Sequence, residues 1–453
     1  MNQILYSFRR TIQHYIDGSS ILIAITIIAI VIANSPLSSS YFDFWEQTFS
    51  LQIGDFNFFT YKGESMTLMQ VINDFLMAVF FFTIGLEIKR EILVGELSLS
   101  SVRTALLPII GAIGGMILPV CIYLFFSHHG LESRGCAIPM ATDIAFSLGV
   151  LSLFGKRIPN GLKIFLAALA VADDLGGIAV IAIFYTSNID LFFVGYATIA
   201  VLFLIVGARK GIHSKLYYCI GSLILWYFLL NSGIHATIAG VIAAFCIPAY
   251  PISNPDRSMK RIAKCLQLFG MCSSHNTRTI VLPNRQLSLL KRIESASDHV
   301  ISPLQDMEDT LAPLVKYFII PLFALANAGI NISGVTFPDL FSGVGLSALT
   351  GLSVGKVVGI VFFSWIAIKF KLVYLPHGVS WKMFIGVAML GGIGFTVSIF
   401  IADLSFAPFG EEGHKLLNNA KLGILTGSIL AGVAGYIMLS LSLRQKHKQL
   451  NNI

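Results

Sequence analysis

Long apolar runs separated by short polar segments make up most of the chain. A bilayer core takes roughly 20 apolar residues per helix, and twelve runs approach that length: 19–34, 66–88, 104–126, 136–154, 161–186, 191–208, 215–230, 233–250, 311–331, 343–369, 382–402 and 416–441. The segments between them alternate in charge. "FRR", "KREILVGELSLSSVR", "GKRIPNGLK", "ARKGIHSK", the long segment after Tyr250, "KFKLVYLPHGVSWK" and "RQKHKQ" hold the Lys/Arg excess, whereas "SNID", "APFGEE" and "SHHGLESRG" hold little. By the positive-inside rule the basic segments are cytoplasmic, so both termini are cytoplasmic, as an even number of crossings requires. The pattern predicts an all-α polytopic membrane protein of 12 transmembrane helices. The run Ile21–Ala33 leads into "NSPLSSS" without a small-x-small cleavage pattern, so the first helix is read as retained rather than as a secretory signal.

Two connecting segments stand out. Within the outer loop 41–65, Leu51, Ile53, Phe56 and Phe58 alternate around Gly54-Asp55, which predicts a hairpin. An isolated hairpin is only marginally stable in water, so it is expected to pack on another surface, a second protomer being one candidate. The inner segment 252–301 has eight Lys/Arg against three Asp/Glu and little helical periodicity, and reads as a cytoplasmic loop insertion that is partly ordered at best.

Composition agrees with a lipid solvent. Of 453 residues 55% are hydrophobic and 12% charged, with a mean hydropathy of +0.78. The net charge of +7 is explained by basic cytoplasmic loops, so no nucleic-acid partner is implied. Six cysteines show neither a disulfide framework nor a CxxC pair. Cys265, Cys272 and His275 do not make a convincing zinc set at their spacing, and no cofactor is expected.

Against this background the ionisable groups inside the spans form a short set: Asp74, Asp143, Asp173, Asp174 and Lys356, joined by His235. A charge at a helix centre costs ~2.5–3.5 kcal/mol on insertion scales, so five unpaired charges cost more than ~10 kcal/mol. They must face one another or a water-filled cavity. A packing ion pair accounts for Lys356 and one aspartate, but not for four acids against one base. Hard monovalent cations favour oxygen ligands, by the logic that governs Ca²⁺ and Mg²⁺. A poorly hydrated carboxylate beside a like charge also holds protons readily, so cation and proton compete for the same oxygens. Adjacent residues on a helix point about 100° apart. Asp173 and Asp174 therefore have different partners, one free to ligate an ion while the other pairs with Lys356.

Two spans read as discontinuous. Span four has Pro139 and Thr142 just before Asp143, and span eleven has Gly391, Gly392 and Gly394 before a Phe/Thr/Ser-rich run. Broken backbone is tolerated in a membrane only where protein or a cavity satisfies it. Such breaks leave two positive and two negative helix ends at mid-membrane, with Asp143 suited to the former and Lys356 to the latter. Close helix packing is the alternative use of the glycines. Each break lies at the centre of a three-helix group, spans three to five and ten to twelve, which suggests inverted-topology repeats.

The segments "NDFLMAVFFFTIGLEIKREILVGEL", "ATDIAFSLGVLSLFGKRIP", "ADDLGGIAVIAIFY", "SGIHATIAGV", "PLFALANAGI", "GKVVGI", "GGIGFTVSIFIA" and "AKLGILTGS" resemble the NhaA-type sodium/proton antiporter family, which is itself a known example of inverted repeats. The resemblance implies one integral-membrane antiporter domain over 1–453, in a bacterial inner membrane, with the 41–65 loop periplasmic. It implies electrogenic, pH-regulated exchange of cytoplasmic Na⁺ or Li⁺ for external protons, and a homodimer. Position by position, it implies that Asp173 and Asp174 form the cation and proton site, with Thr142 and Asp143 beside them. Lys356 pairs with Asp173 and compensates charge at the broken helices, and Asp74 lines an outer funnel. Glu87, Arg90, Glu91 and Glu308 form a cytoplasmic pH-sensing cluster, and His235 is linked to pH response. The i, i+3, i+4 spacing of Glu87, Arg90 and Glu91 independently puts those three on one helix face.

Two departures from the family pattern are visible. The ninth span opens with "PLQDMEDTLAP", richer in acid and poorer in base than the family norm, and the inner loop before it is longer. Rival readings fit less well. An intramembrane aspartyl protease takes its acids from two helices, whereas these are adjacent. A sodium-coupled symporter for organic anions lacks an intramembrane arginine. A passive cation channel differs in lacking proton coupling.

Overall fold

The structure is a computed structural model that describes residues 18–54, 56–61, 63–93, 102–127, 130–184, 189–251, 255–271, 284–298, 300–330, 343–376 and 378–450. In chain order the helices are α1 (Gly18–Ala33), α2 (Ser38–Glu46), α3 (Leu68–Leu93), α4 (Val102–Phe126), α5 (Ile144–Ser152), α6 (Asn160–Phe184), α7 (Leu191–Arg209), α8 (Lys215–Ser232), α9 (Thr237–Cys246), α10 (Pro255–Met271), α11 (Asn284–Asp298), α12 (Pro303–Asn327), α13 (Gly343–Lys369), α14 (Trp381–Leu390), α15 (Phe395–Phe406) and α16 (Gly410–Leu450). A 3₁₀ turn, Leu131–Met140, precedes α5. Among the described residues eight helical stretches are long and apolar enough to cross a membrane, or nine if α1 and α2, bent 110° apart, make one span. The chain is therefore an all-α, multi-pass membrane protein.

The helices differ from the predicted runs in ways that follow from local chemistry. The 233–250 run yields only the ten residues of α9, because Gly233 ends α8 in the left-handed region at φ 83° and Pro248 follows α9 closely. The 311–331 run begins earlier, at Pro303, where the Ser302 side chain accepts from Gln305 N and Pro303 occupies the first turn. The 136–154 and 382–402 runs are each interrupted, at 141–143 and 391–394. The last helix, α16, has 41 residues and extends well beyond the 416–441 run.

The outer loop contains two small hairpins. Gln52 pairs with Asn57 and Ile53 with Phe56 in one; Thr60 pairs with Ser65 and Tyr61 with Glu64 in the other. Asp55 lies outside the described residues. The surface on which this loop packs is supplied by its own chain: the Phe58 ring is 5.7 Å from Trp226 and 5.9 Å from Tyr227, and Phe59 is 5.6 Å from Phe75. A second protomer is not needed to support it. The inner segment also departs from expectation. It holds two helices, α10 and α11, packed on each other, where the sequence predicts a loop that is partly ordered at best. The dense Lys/Arg content obscured a stripe at Ser258, Ile262, Cys265 and Phe269, whose i, i+4, i+7, i+11 spacing is helical.

Two tight contacts shape the centre. Helices α4 and α13 meet through Gly114 and Gly359, where a Cβ on Gly114 would lie 2.3 Å from the Gly359 carbonyl oxygen, so only glycine lets the backbones come this close. Facing them, the two interrupted segments touch: Asp143 N donates to Ile393 O at 2.7 Å.

Candidate functional site

The site is built where the two breaks meet α6 and α13. After Met140 the backbone runs extended through Ala141 to Asp143, and α5 begins with the Asp143 side chain accepting from Phe146 N at 3.1 Å. Its other oxygen accepts from Thr396 N at 3.2 Å and from the Thr396 hydroxyl at 2.5 Å. One carboxylate thus caps the N-termini of both α5 and α15, as expected where positive helix ends converge. The opposite ends are also satisfied. Lys356 Nζ donates to Met140 O, Ser147 Oγ donates to Leu390 O at 2.8 Å, and Ser398 Oγ donates to Ile138 O at 2.8 Å. Close approach at the second break requires Gly392, since a Cβ there would sit 2.5 Å from the Leu352 carbonyl oxygen.

The adjacent aspartates on α6 have different surroundings, as their helical offset demands. Asp173, fully buried, has Oδ2 2.9 Å from the equally buried Lys356 Nζ and 2.6 Å from Thr142 Oγ1. Thr142 Oγ1 is also 2.8 Å from Gly391 O. A hydroxyl has one proton, so Thr142 serves one of these acceptors at a time unless Asp173 itself supplies a proton. Asp174 has no such partners: among the described residues it forms no ion pair, and its Oδ1 is buried without a hydrogen bond, as is Oδ1 of Asp173. Buried carboxylate oxygens without partners are costly in a protein interior. Here they suit a cation or a proton.

Asp174 also lines a cleft of about 410 Å³, together with Thr142, Asp143, Thr396, Thr83 and Glu87; Asp173 does not line it. The cleft reaches Ser152 and Lys316, toward the end of α3 where Glu87, Arg90 and Glu91 stand. There Arg90 Nη1 pairs with Glu308 Oε1 at 2.8 Å and Arg90 Nη2 lies 3.4 Å from Glu91 Oε1, joining α3 to α12. Four of the five residues assigned to a pH-sensing group are therefore together. His235 is not among them. Its Nε2 is 3.8 Å from Asp74 Oδ1 and its Nδ1 is 2.7 Å from Thr237 Oγ1, near the other end of α3. Asp74 lies thirteen positions before Glu87, roughly 20 Å along a helix, in a π-helical stretch, Val71–Leu76.

Two charged residues absent from the intramembrane set, Asp403 and Lys421, also lie within the fold. Asp403 on α15 accepts from Asn73 Nδ2 at 2.8 Å, and Asn73 Oδ1 in turn accepts from Asn327 Nδ2 at 2.8 Å. Lys421, buried in α16, is the main positive charge acting on Asp403. The signal was present: Lys421 lies inside the 416–441 run and Asp403 one residue beyond the 382–402 run. With both included, the membrane interior holds more than one base. Cys272 and His275 lie outside the described residues, within which no group of three or more His, Cys, Asp or Glu could hold a metal.

Comparisons with known proteins identify the family. The family model described as Na⁺/H⁺ antiporter 1 matches residues 9–439. A Phocaeicola vulgatus protein named Na(+)/H(+) antiporter NhaA is 48% identical over 445 residues, covering 98% of each chain. Proteins of the same name from Porphyromonas gingivalis and Acidithiobacillus ferrooxidans are 44% identical over 430 residues and 42% identical over 444 residues, covering 94% of each chain in the first case, and 98% of this chain and 99% of the relative in the second. These relatives are about as long as this chain.

Proposed function

This chain belongs to the Na⁺/H⁺ antiporter 1 family, a family of transporters rather than enzymes, and we propose that the Asp173–Asp174 pair is where Na⁺ or Li⁺ and protons exchange. The observation that carries this reading is the difference between the two aspartates. Asp174 lines the cleft and has a buried oxygen without a hydrogen bond, while Asp173 is held by Lys356 and Thr142 one residue away. A cation arriving through the cleft meets Asp174 first, with Thr142 within the same lining. Asp143, whose two oxygens already serve two helix ends, balances the positive dipole ends rather than giving up those bonds to an ion.

Proton coupling then follows from the hydrogen-bond chain. With Asp173 ionised, Thr142 donates to it and Lys356 neutralises it. With Asp173 protonated, its O–H donates to Thr142, which turns its own proton to Gly391 O on the second break. Cation entry favours the ionised arrangement, proton entry the other, and the two arrangements tie different contacts between the breaks. The crossing of α5 and α14–α15 makes this the part that moves in an alternating-access cycle over twelve crossings arranged as inverted repeats. Both termini are cytoplasmic and the membrane is the bacterial inner membrane. More proton charge enters than sodium charge leaves, so the cycle is electrogenic, and the Arg90–Glu308 cluster at the cleft makes it pH-regulated. Asp74 lines the outer approach, and the functional unit is a homodimer.

The test uses everted vesicles from antiporter-deficient cells expressing the chain, energised to an acid interior and followed with a pH-quenched dye. Addition of NaCl or LiCl is expected to alkalinise the interior, KCl is the comparison, and Asp174→Asn is expected to abolish the response. Proton movement by no cation, with protein present, overturns the reading.

A further inference from the structure

The α10–α11 hairpin has no part in the site above, and its charges are unused. Its two helices pack on each other, and among their less exposed positions are Ile262, Cys265 and Phe269 on one and Leu289, Ile293 and Ala296 on the other. Beside this seam is a cavity of about 530 Å³ whose charged lining is entirely cationic: Arg261, Lys264, Lys291 and Arg292. Among the described residues none of the four forms an ion pair. On α10 the cations at Arg257, Lys260, Arg261 and Lys264 recur at i, i+3, i+4 and i+7, so they make one face. Four like charges around one cavity repel each other unless an anion sits between them. Guanidinium groups present paired N–H donors that match phosphate oxygens.

The hairpin also leaves large apolar side chains exposed. Leu268, which lines the cavity, is 41% exposed, and Leu287, one turn before Lys291, is 40% exposed. Exposed apolar groups next to a cationic face are the combination found in helices that lie in a membrane interface. The tether is short as well. Residues 299–302 join α11 to α12, one of the eight long apolar helices, and at ~3.6 Å per residue α11 ends within roughly 18 Å of the start of α12. The hairpin therefore stays within reach of the bilayer surface.

We propose that the cavity between α10 and α11 binds the phosphate of an anionic phospholipid headgroup, with the exposed apolar side chains entering the acyl boundary beside it. The proposal gives the 252–301 segment a membrane-docking role that is separate from ion exchange. Each cation near an anionic surface contributes attraction that a zwitterionic surface lacks. Binding is thus selective for anionic lipid and weakened by salt.

The test reconstitutes the full chain carrying Leu287→Trp into vesicles whose brominated lipids quench indole emission. One set is brominated phosphatidylcholine, the other includes brominated phosphatidylglycerol, and the unsubstituted chain supplies the background from its own four tryptophans. Because both leaflets are alike, the readout needs neither transport nor a fixed orientation. The added indole is expected to be quenched in the anionic vesicles, less so as salt is raised, and little in the zwitterionic ones. In the R261Q/K264Q/K291Q/R292Q background, quenching in the anionic vesicles is expected to fall to the level seen in the zwitterionic ones. Equal quenching in both vesicle types, or none in either, overturns the proposal. Loss of quenching on adding inorganic phosphate at constant ionic strength assigns the cavity to a soluble anion and overturns the lipid. The salt series uses the unaltered cavity, so misfolding of the four-site variant does not remove the test.

Discussion

Lys356 Nζ and Asp173 Oδ2 are 2.9 Å apart at the crossing of two interrupted segments, and neither residue has any exposed surface. The same ammonium group donates to the Met140 carbonyl at the end of the 3₁₀ turn. One lysine thus serves a carboxylate and a helix end together. Removing one partner of a buried ion pair leaves an uncompensated charge, which costs about 3–5 kcal/mol. Lys356→Ala is accordingly expected to lower the melting temperature of the purified protein substantially. The double variant with Asp173→Asn is expected to recover part of the loss. A double variant less stable than Lys356→Ala alone would show that the pair is not the main contribution of the lysine.

Asp174 is the converse case. Among the described residues it has no ion-pair partner, and its buried Oδ1 has no hydrogen bond, so neutralising it removes repulsion rather than attraction. Asp174→Asn is expected to abolish sodium-driven proton movement in everted vesicles while leaving the melting temperature unchanged or raised. Exchange at the unsubstituted rate with equal expression contradicts the assignment of the site.

Thr142 separates hydroxyl chemistry from packing. Thr142→Ser keeps the oxygen that reaches Asp173 and Gly391, whereas Thr142→Ala leaves both acceptors without it. Loss of a hydrogen bond to a charged group costs about 1.5–3 kcal/mol. The serine variant is expected to retain exchange and the alanine variant to lose most of it, with a larger apparent KM for Na⁺. Equal kinetics in the two variants would exclude the Thr142 relay.

The Arg90–Glu308 pair makes a statement about pH. Lowering pH protonates carboxylates and weakens the link between α3 and α12; raising pH restores it. Glu308→Gln holds that partner in its uncharged, acid-side condition at every pH. Exchange rising from slightly acid to alkaline pH is expected in the unsubstituted chain. In the variant the midpoint is expected to move to higher pH, because the remaining groups must complete the transition without this pair. A profile that superimposes on that of the unsubstituted chain removes Glu308 from the regulatory cluster.

Asp403 and Lys421 supply a stability test away from the site. Asp403→Leu leaves the buried Lys421 without the carboxylate that faces it and leaves Asn73 without its acceptor. The expected result is a marked fall in melting temperature, relieved when Lys421→Met is added. Additive losses would show that the two side chains do not act on each other.

Much of this was written in the chain. Hydropathy and loop charge determined an all-helical membrane protein, because lipid leaves backbone polar groups no partner outside the helix. The cost of charge in lipid singled out Asp74, Asp143, Asp173, Asp174 and Lys356 from one sequence, and Pro139 with Gly391, Gly392 and Gly394 marked where helices stop. What the sequence could not determine was pairing between distant segments. That Asp143 caps Thr396 across 253 positions, that Thr142 reaches Gly391 and that His235 stands with Asp74 rather than with Glu308 depend on how helices cross. The same holds for α10 and α11, whose apolar stripe is too narrow to stand out among seven cations until the two helices face each other. Periodicity reports which face of a helix is buried, but only tertiary packing brings two faces together, and the chemistry of this protein lies between them.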